Sequence, residues 1–258
     1  MKYLELKQVS KSFGGLMAVS NVSFDVKKGS LTGLIGPNGA GKTTLFNLLT
    51  GIYPLSDGDI LLHKDETSSL KKLKSYQIAQ LGLARTFQNI RLFKNMTVLD
   101  NVKVAMNQSS KYNLITALGR FPNFFQEETK LNQKAFELLK LVELDSLKDE
   151  LAKNLSYGKQ RELEIVRALA TGSDLLFLDE PAAGMNHSET EDLMKFIGFI
   201  RDKFQLTIIL IEHDMSLVMR LCEKIYVLDY GKLIASGTPQ EIKVNKRVIE
   251  AYLGDDDG

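Results

Sequence analysis

Apolar residues recur near period two at the start of the chain. Leu4, Leu6 and Val9 keep close to that spacing over residues 2–9, and Val22, Phe24 and Val26 keep to it strictly over 18–26. Both stretches predict strands. Leu31 to Ile35 is a short apolar run that ends in a glycine-rich loop, and Thr43 to Leu49 then predicts a helix. A strand, loop and helix in that order begin an α/β unit. After the turn cluster Pro54-Leu55-Ser56-Asp57-Gly58, Asp59 to His63 predicts another strand. Thr67 to Leu81 is helical in pattern, with Lys71, Lys72 and Lys74 on a solvated face.

The pattern changes between about 97 and 155. Val98, Val102 and Ala105 predict a short helix, residues 107–125 are polar and aromatic, and Glu127 to Leu141 is amphipathic, with Leu131, Ala135, Leu138 and Leu139 on one face. This stretch shows no strand signal and predicts a helical insertion in the α/β core. The alternating pattern then resumes. Helices are expected at Tyr157–Ala170, Ser188–Asp202 and Met215–Cys222, and strands at Leu175–Leu178 and Leu206–Ile211. Ile225–Leu228 and Lys232–Ala235 predict a hairpin around Tyr230-Gly231, followed by two short helices. The expected division is one domain over 1–254, with a core of 1–88 and 158–254, a helical subdomain of about 89–157, and a fraying tail at 255–258.

Composition narrows the choices. At ~150 residues per domain, 258 residues suit one large domain, or one with a lobe. The 33 Lys and Arg nearly balance 32 Asp and Glu, which argues against nucleic-acid binding by bulk charge. The single cysteine, Cys222, excludes an internal disulfide and predicts a structural thiol in a reducing compartment. The N-terminus lacks a signal-peptide core, and the aliphatic runs fall far short of the ~20 residues of a membrane helix.

Gly36-Pro37-Asn38-Gly39-Ala40-Gly41-Lys42-Thr43 matches G-x-x-x-x-G-K-[ST] in full, between a predicted strand and a predicted helix. Glycines let backbone N–H groups turn inward around phosphate oxygens, and the helix N-terminus adds a positive dipole end. Lys42 can reach the β- and γ-phosphates, the Thr43 hydroxyl can ligate Mg²⁺, and Thr44 follows at the same helix start. Leu175 to Leu178 leads into Asp179-Glu180. An aspartate ending a buried strand can hold Mg²⁺, and the next carboxylate can polarise a water for attack on phosphate.

These motifs, with those that follow them, resemble the nucleotide-binding subunit of ATP-binding-cassette transporters over nearly the whole chain. Leu155-Ser156-Tyr157-Gly158-Lys159-Gln160-Arg161 is similar to that family's L-S-G-G-Q signature. Thr86-Phe87-Gln88 resembles its Q-loop, Ala183-Gly184-Met185-Asn186 its D-loop, and Ile211-Glu212-His213-Asp214 its switch histidine. Phe13 stands where the family has an adenine-stacking aromatic. Tyr157, Lys159 and Asn186 depart from the general pattern, at positions that face a second copy.

The resemblance implies a P-loop NTPase (RecA-like) core with an antiparallel β subdomain and an inserted α-helical subdomain. It implies an ATPase using ATP and Mg²⁺, with Glu180, His213 and Gln88 catalytic and with Thr43, Gln88 and Asp179 at the metal. Phe13, Gly36, Asn38, Gly39, Ala40, Gly41, Lys42, Thr43 and Thr44 would bind ATP. Ser156, Tyr157, Gly158 and Lys159 would meet ATP held by a second copy in a head-to-tail dimer, with Asn186 in its D-loop. Ser156 would cap the signature helix. Pro181 to Asn186, Ile211 to Met215 and Ala84 to Phe93 are similar to ATPases of branched-chain amino-acid importers. The expected partners are permease subunits, a second ATPase and, indirectly, an extracytoplasmic binding protein, with no nucleic acid. The expected place is the cytoplasmic face of the cell membrane, held peripherally. A urea or amide importer, lipopolysaccharide export and a soluble non-transport cassette remain alternatives, and Glu180 and His213 argue against a non-hydrolysing module.

Overall fold

A computed structural model describes residues 1–106 and 122–253. The expected tail and residues 107–121 lie outside the described residues. The first sheet is antiparallel. β1 (Lys2–Phe13) and β2 (Leu16–Lys27) form a hairpin across Gly14-Gly15, with β4 (Asp57–His63) and β5 (Thr67–Ser69) beyond, in the order β2-β1-β4-β5. Both strands of the hairpin run past the expected limits. The register slips between Leu6 and Val9, where Gln8 takes φ 51°, so the strand continues after its period-two pattern is lost.

The second sheet has the order β10-β9-β3-β8-β7-β6. Its members are β3 (Leu31–Ile35), β6 (Leu83–Arg85), β7 (Leu175–Asp179), β8 (Thr207–Ile211), β9 (Lys224–Asp229) and β10 (Lys232–Gly237). Every pairing is parallel except β9 with β10. All residues of β3, β7 and β8 are buried, which is why they read as unbroken apolar runs.

Alternate side chains divide between two cores. Leu176, Leu178, Ile208 and Leu210 join the core that includes α5 (Tyr157–Ala170) and α6 (His187–Phe204). Leu175, Phe177, Ile209 and Ile211 join the one formed with α1 (Lys42–Leu49) and the antiparallel sheet. Phe177 meets Phe46 of α1 edge to face at 5.4 Å. α3 (Val98–Met106) packs against α4 (Pro122–Leu141) and α5, and Val98, Val102, Ala135 and Leu139 are buried there. α4 begins five positions before the expected Glu127. Within 97–155 the described strand-like pairing is an isolated bridge between Thr97 and Leu151.

Two expectations are corrected. Thr67–Leu81 is not one helix. Its first residues form β5, paired to β4 through His63 and Thr67, and the helix α2 covers Ser75–Gln80 alone. The Ser69 hydroxyl donates to Asp59 at 2.6 Å and the Leu70 N–H to Ile60 at 2.8 Å, so the neighbouring strand captures groups that a helix would have used. β6 was not expected, because three residues carry no readable period. The lysine run is exposed, as expected. Cys222 is buried, and burial pushes its thiol up to about 12, as suits a structural residue. The remaining elements are α7 (Met215–Leu221), α8 (Pro239–Lys243) and α9 (Lys246–Leu253).

Candidate functional site

The C-terminal ends of β3, β8, β7 and β6, four adjacent parallel strands, deliver the glycine loop, Glu212-His213, Asp179-Glu180 and the segment from Arg85 to Gln88 to one edge of the sheet. Open parallel sheets bind ligands at that edge.

Ile35 ends β3 and the chain turns at once. A Cβ on Gly36 would lie 2.0 Å from the Leu228 carbonyl, and one on Gly41, at φ 99°, would lie 2.6 Å from the Ala18 carbonyl. The Gly41 turn therefore admits no side chain. Gly41 caps α1 without a side-chain acceptor, so the first N–H groups of the helix face the loop. Lys42 folds back over it, and Nζ donates to the carbonyls of Gly36 at 2.7 Å and Pro37 at 2.9 Å. Burial pushes the Lys42 ammonium below its ordinary value, while Glu180 and Asp179 pull it upward. This arrangement suits an incoming anion. Ala40 is buried, whereas Asn38, Gly39 and Thr43 are exposed and Thr44 is half-buried.

The acidic pair is held from several sides. Asp179 is buried, and its Oδ2 accepts from Arg85 Nη2 at 2.6 Å. Glu180 adopts φ 45°, a left-handed conformation rare for a non-glycine residue, and its N–H donates to Ile211 at 2.9 Å. Strain of this kind clusters at working sites. Glu180 Oε2 accepts from Gln88 Nε2 at 2.7 Å and lies 3.8 Å from His213 Nδ1. Glu212 is fully buried. It accepts from the N–H groups of Ala182 at 2.9 Å and His213 at 3.1 Å, tying the two carboxyl-end loops together. Burial pushes its carboxyl above the ordinary value.

Thr43, Asp179 and Gln88 offer only oxygen donors to a cation, and the Gln88 bond to Glu180 uses its nitrogen. Among the described residues no group of three or more His, Cys, Asp or Glu is placed to hold a metal. So sparse a hard-donor set suits Mg²⁺, which keeps waters and takes phosphate oxygens.

The signature segment stands apart. Ser156 Oγ accepts from the Lys159 N–H at 3.4 Å and caps α5, as expected. Ser156, Gly158 and Lys159 border a cavity of about 400 Å³ that shares no lining residue with the one beside Pro37 to Ala40. The departures from the family pattern have local partners. The Tyr157 hydroxyl donates to the Ala183 carbonyl at 3.1 Å, and Lys159 pairs with Glu162 at 2.7 Å. Asn186 caps α6, accepting from the Glu189 N–H at 3.0 Å while Glu189 accepts from its own. Phe13 is 42% exposed, edge-on to Tyr53 at 5.3 Å, so it is not a core residue.

Sequence reasoning missed the buried arginines. Arg161, fully buried on α5, donates to the carbonyls of Phe87 and Gln88, each at 2.8 Å, and to Glu164 at 2.7 Å. Glu164 in turn accepts from the Arg91 N–H at 3.1 Å. The loop carrying Gln88 is thus clasped by the signature helix. Beyond it opens a groove of about 630 Å³, lined by apolar Ile52, Tyr76, Phe87 and Phe93 and by Arg91 and Arg167. Phe93 and Met96 are exposed, while Phe87, Ile90 and Leu92 are half-buried. Phe121 and the side chains of Phe124 and Phe125 lie outside the described residues.

Residues 19–183 match the family described as "ABC transporter". The chain belongs to this family. Residues 232–258 of the cassette also match "Branched-chain amino acid ATP-binding cassette transporter". The cassette is 46% identical over 243 residues to the high-affinity branched-chain amino acid transport ATP-binding protein LivG of Salmonella typhimurium, covering 94% of each chain. It is 43% identical over 252 residues to BraF of Pseudomonas aeruginosa, a protein of the same description, covering 98% of each. A solved ATP-binding cassette of an ABC transporter in its ADP conformation shares its structure at TM-score 0.83 and 29% identity, covering 99% of this chain and 100% of that one. The expected fold class is borne out. Among the described residues no helix is long and apolar enough to cross a membrane.

Proposed function

We propose that the cassette is the ATP-hydrolysing subunit of an importer for branched-chain amino acids, working with Mg²⁺ and held on the cytoplasmic face of the membrane by its permease. One observation carries the reading: the glycine loop, Asp179-Glu180, Gln88 and His213 meet at the ends of adjacent strands. The substrate class rests on the likeness to LivG and BraF and on the match of residues 232–258.

In this reading Phe13 stacks on adenine, and the loop N–H groups, Lys42 and Thr44 hold the phosphates. Thr43, Asp179 and Gln88 face the metal, which would neutralise phosphate charge. Glu180 polarises the attacking water, and His213 orients it against the γ-phosphate. The work is positioning and electrostatics around a loose transition state. A second ATPase subunit, head to tail, presents Ser156 to Lys159 to the nucleotide, with Asn186 at the shared face. The division into a core of 1–88 and 158–254 and a helical subdomain of about 89–157 belongs to the same reading.

The permease is the partner for the groove beside Gln88. A short amphipathic helix fits an apolar groove with a cationic rim. The experiment is reconstitution of this chain with its permease pair, its companion ATPase and the binding protein in liposomes. ATP-driven uptake of labelled leucine, competed by isoleucine and valine, is the expected result. ATPase activity that ignores all three amino acids overturns the substrate class and leaves the ATPase.

A further inference from the structure

Arg85 occupies the last position of β6, three residues before Gln88, on the strand that no pattern announced. Its side chain is 9% exposed, and its guanidinium links β6 to β7 and α1. Nη2 donates to Asp179 Oδ2 at the end of β7, at 2.6 Å. Nη1 donates to Asn47 Oδ1 on α1 at 2.6 Å, and lies 3.4 Å from the Thr50 hydroxyl at the end of that helix. The ring of Phe46 lies 5.7 Å below the guanidinium and that of Phe87 5.5 Å from it. Nε is buried without a hydrogen-bond partner. The contacts made are therefore the two fork donors, one to each of the elements that build the nucleotide site.

We propose that Arg85 is a positioning residue for ATP hydrolysis. It binds one oxygen of Asp179 and ties that carboxylate to the helix behind the glycine loop, leaving the other oxygen as the one that would hold Mg²⁺ when it is bound. The inference rests on the reading of Asp179 as the metal carboxylate. A carboxylate at the end of a strand can rotate about its terminal bond. A guanidinium anchored on a second element fixes the position of the one oxygen it binds, and partners of this kind tune a metal site without touching the metal. Lysine cannot replace the fork, because its ammonium is a single point that does not bridge Asp179 and Asn47 as two separate donors do.

The test uses the full chain with Arg85→Met, Arg85→Lys and Asp179→Asn. ADP affinity is measured by fluorescence titration with EDTA and with Mg²⁺, and the Mg²⁺ concentration for half-maximal ATPase is measured alongside. ADP affinity in EDTA should stay within about twofold of wild type for the two single arginine variants, while the Mg²⁺ needed by Arg85→Met rises about tenfold or more. Arg85→Lys should rise about threefold or more, since it restores charge without the fork. In the Asp179→Asn background Arg85→Met should add nothing to the Mg²⁺ response. Should Arg85→Met not fold, Arg85→Lys decides. A folded arginine variant with a wild-type Mg²⁺ response overturns the proposal, leaving Arg85 a strut. An Asp179→Asn protein with an unaltered Mg²⁺ response instead overturns the reading of Asp179 on which it rests.

Discussion

Gln88 donates its amide to Glu180 across 2.7 Å, although 92 positions separate the two in the chain. The bond joins the residue expected to polarise water to the loop bordering the open groove. Gln88 is itself fixed from behind, because Arg161 holds its carbonyl. Moving the loop moves the partner of Glu180, so groove and carboxylate are mechanically one unit. The left-handed backbone at Glu180 sets its side chain at the strand end, within reach of the Gln88 amide.

Glu180→Gln keeps the shape of the site and removes the proposed base. Hydrolysis should fall by about 10²–10⁴-fold while ATP affinity persists. In the proposed head-to-tail dimer closure needs ATP and opening needs hydrolysis, so the variant should elute as a dimer with ATP and as a monomer without it. Sizing chromatography reads this directly. Wild-type turnover in the variant moves the role of base to another group, with His213 the next candidate.

Lys42→Ala removes a buried ammonium that burial already disfavours. The fold should therefore survive, with an unfolding temperature close to that of wild type. ATP affinity should fall about tenfold to a hundredfold or more, since each charged hydrogen bond to phosphate contributes roughly 1.5–3 kcal/mol. Nucleotide titration of the folded variant checks it, and unchanged affinity would remove the glycine loop from the site.

The parts of the site that the sequence announces are those whose chemistry constrains spacing. The glycine loop admits no Cβ at Gly41, so its residues are legible one by one. The runs of β3 and β7 are legible because both faces of those strands are covered. What stays hidden depends on long-range contact. Arg85 and Arg161 read like any surface arginine until β6 and α5 bring them against Asp179 and Gln88. Glu212 reads as a neighbour of His213 and is in fact the strut between two loops. Asn186 reads as a departure at a partner-facing position, yet an amide oxygen caps α6 as a carboxylate does.

Glu212 gives a pH signature. Its folded-state value is raised above the ordinary 4.5 by burial. Such a group contributes stability that is fully present below the unfolded value and is lost as pH rises through the folded one. Glu212→Gln cannot titrate and turns one of the two oxygens that accept from the Ala182 and His213 N–H groups into an amide nitrogen, which cannot accept. Losing a buried acceptor costs about 1–3 kcal/mol, which at this chain length lowers the unfolding temperature by several degrees. The gap between wild type and variant should be widest near pH 5 and narrow toward pH 8. A gap of constant size over that range would contradict the burial argument.

The groove supplies the last prediction. Phe93 is 45% exposed, and Arg167 lies over its ring at 4.9 Å. Its N–H donates to Asn101 at 3.0 Å, so the backbone position is fixed whatever the side chain does. Phe93→Asp should therefore leave the fold and the ATP affinity of the isolated chain unchanged. It places a carboxylate where an apolar helix face is expected to dock, and it competes for the cationic rim. Co-purification with the permease pair should drop, and amino-acid uptake with it, while ATPase activity in solution persists. Phe199 is a matched control: it is 46% exposed on α6, lies outside this groove, and borders the cavity beside the signature segment instead. Phe199→Asp should retain the permease. If Phe93→Asp also retains it and both variants transport normally, the permease docks on another face and the groove is not its seat.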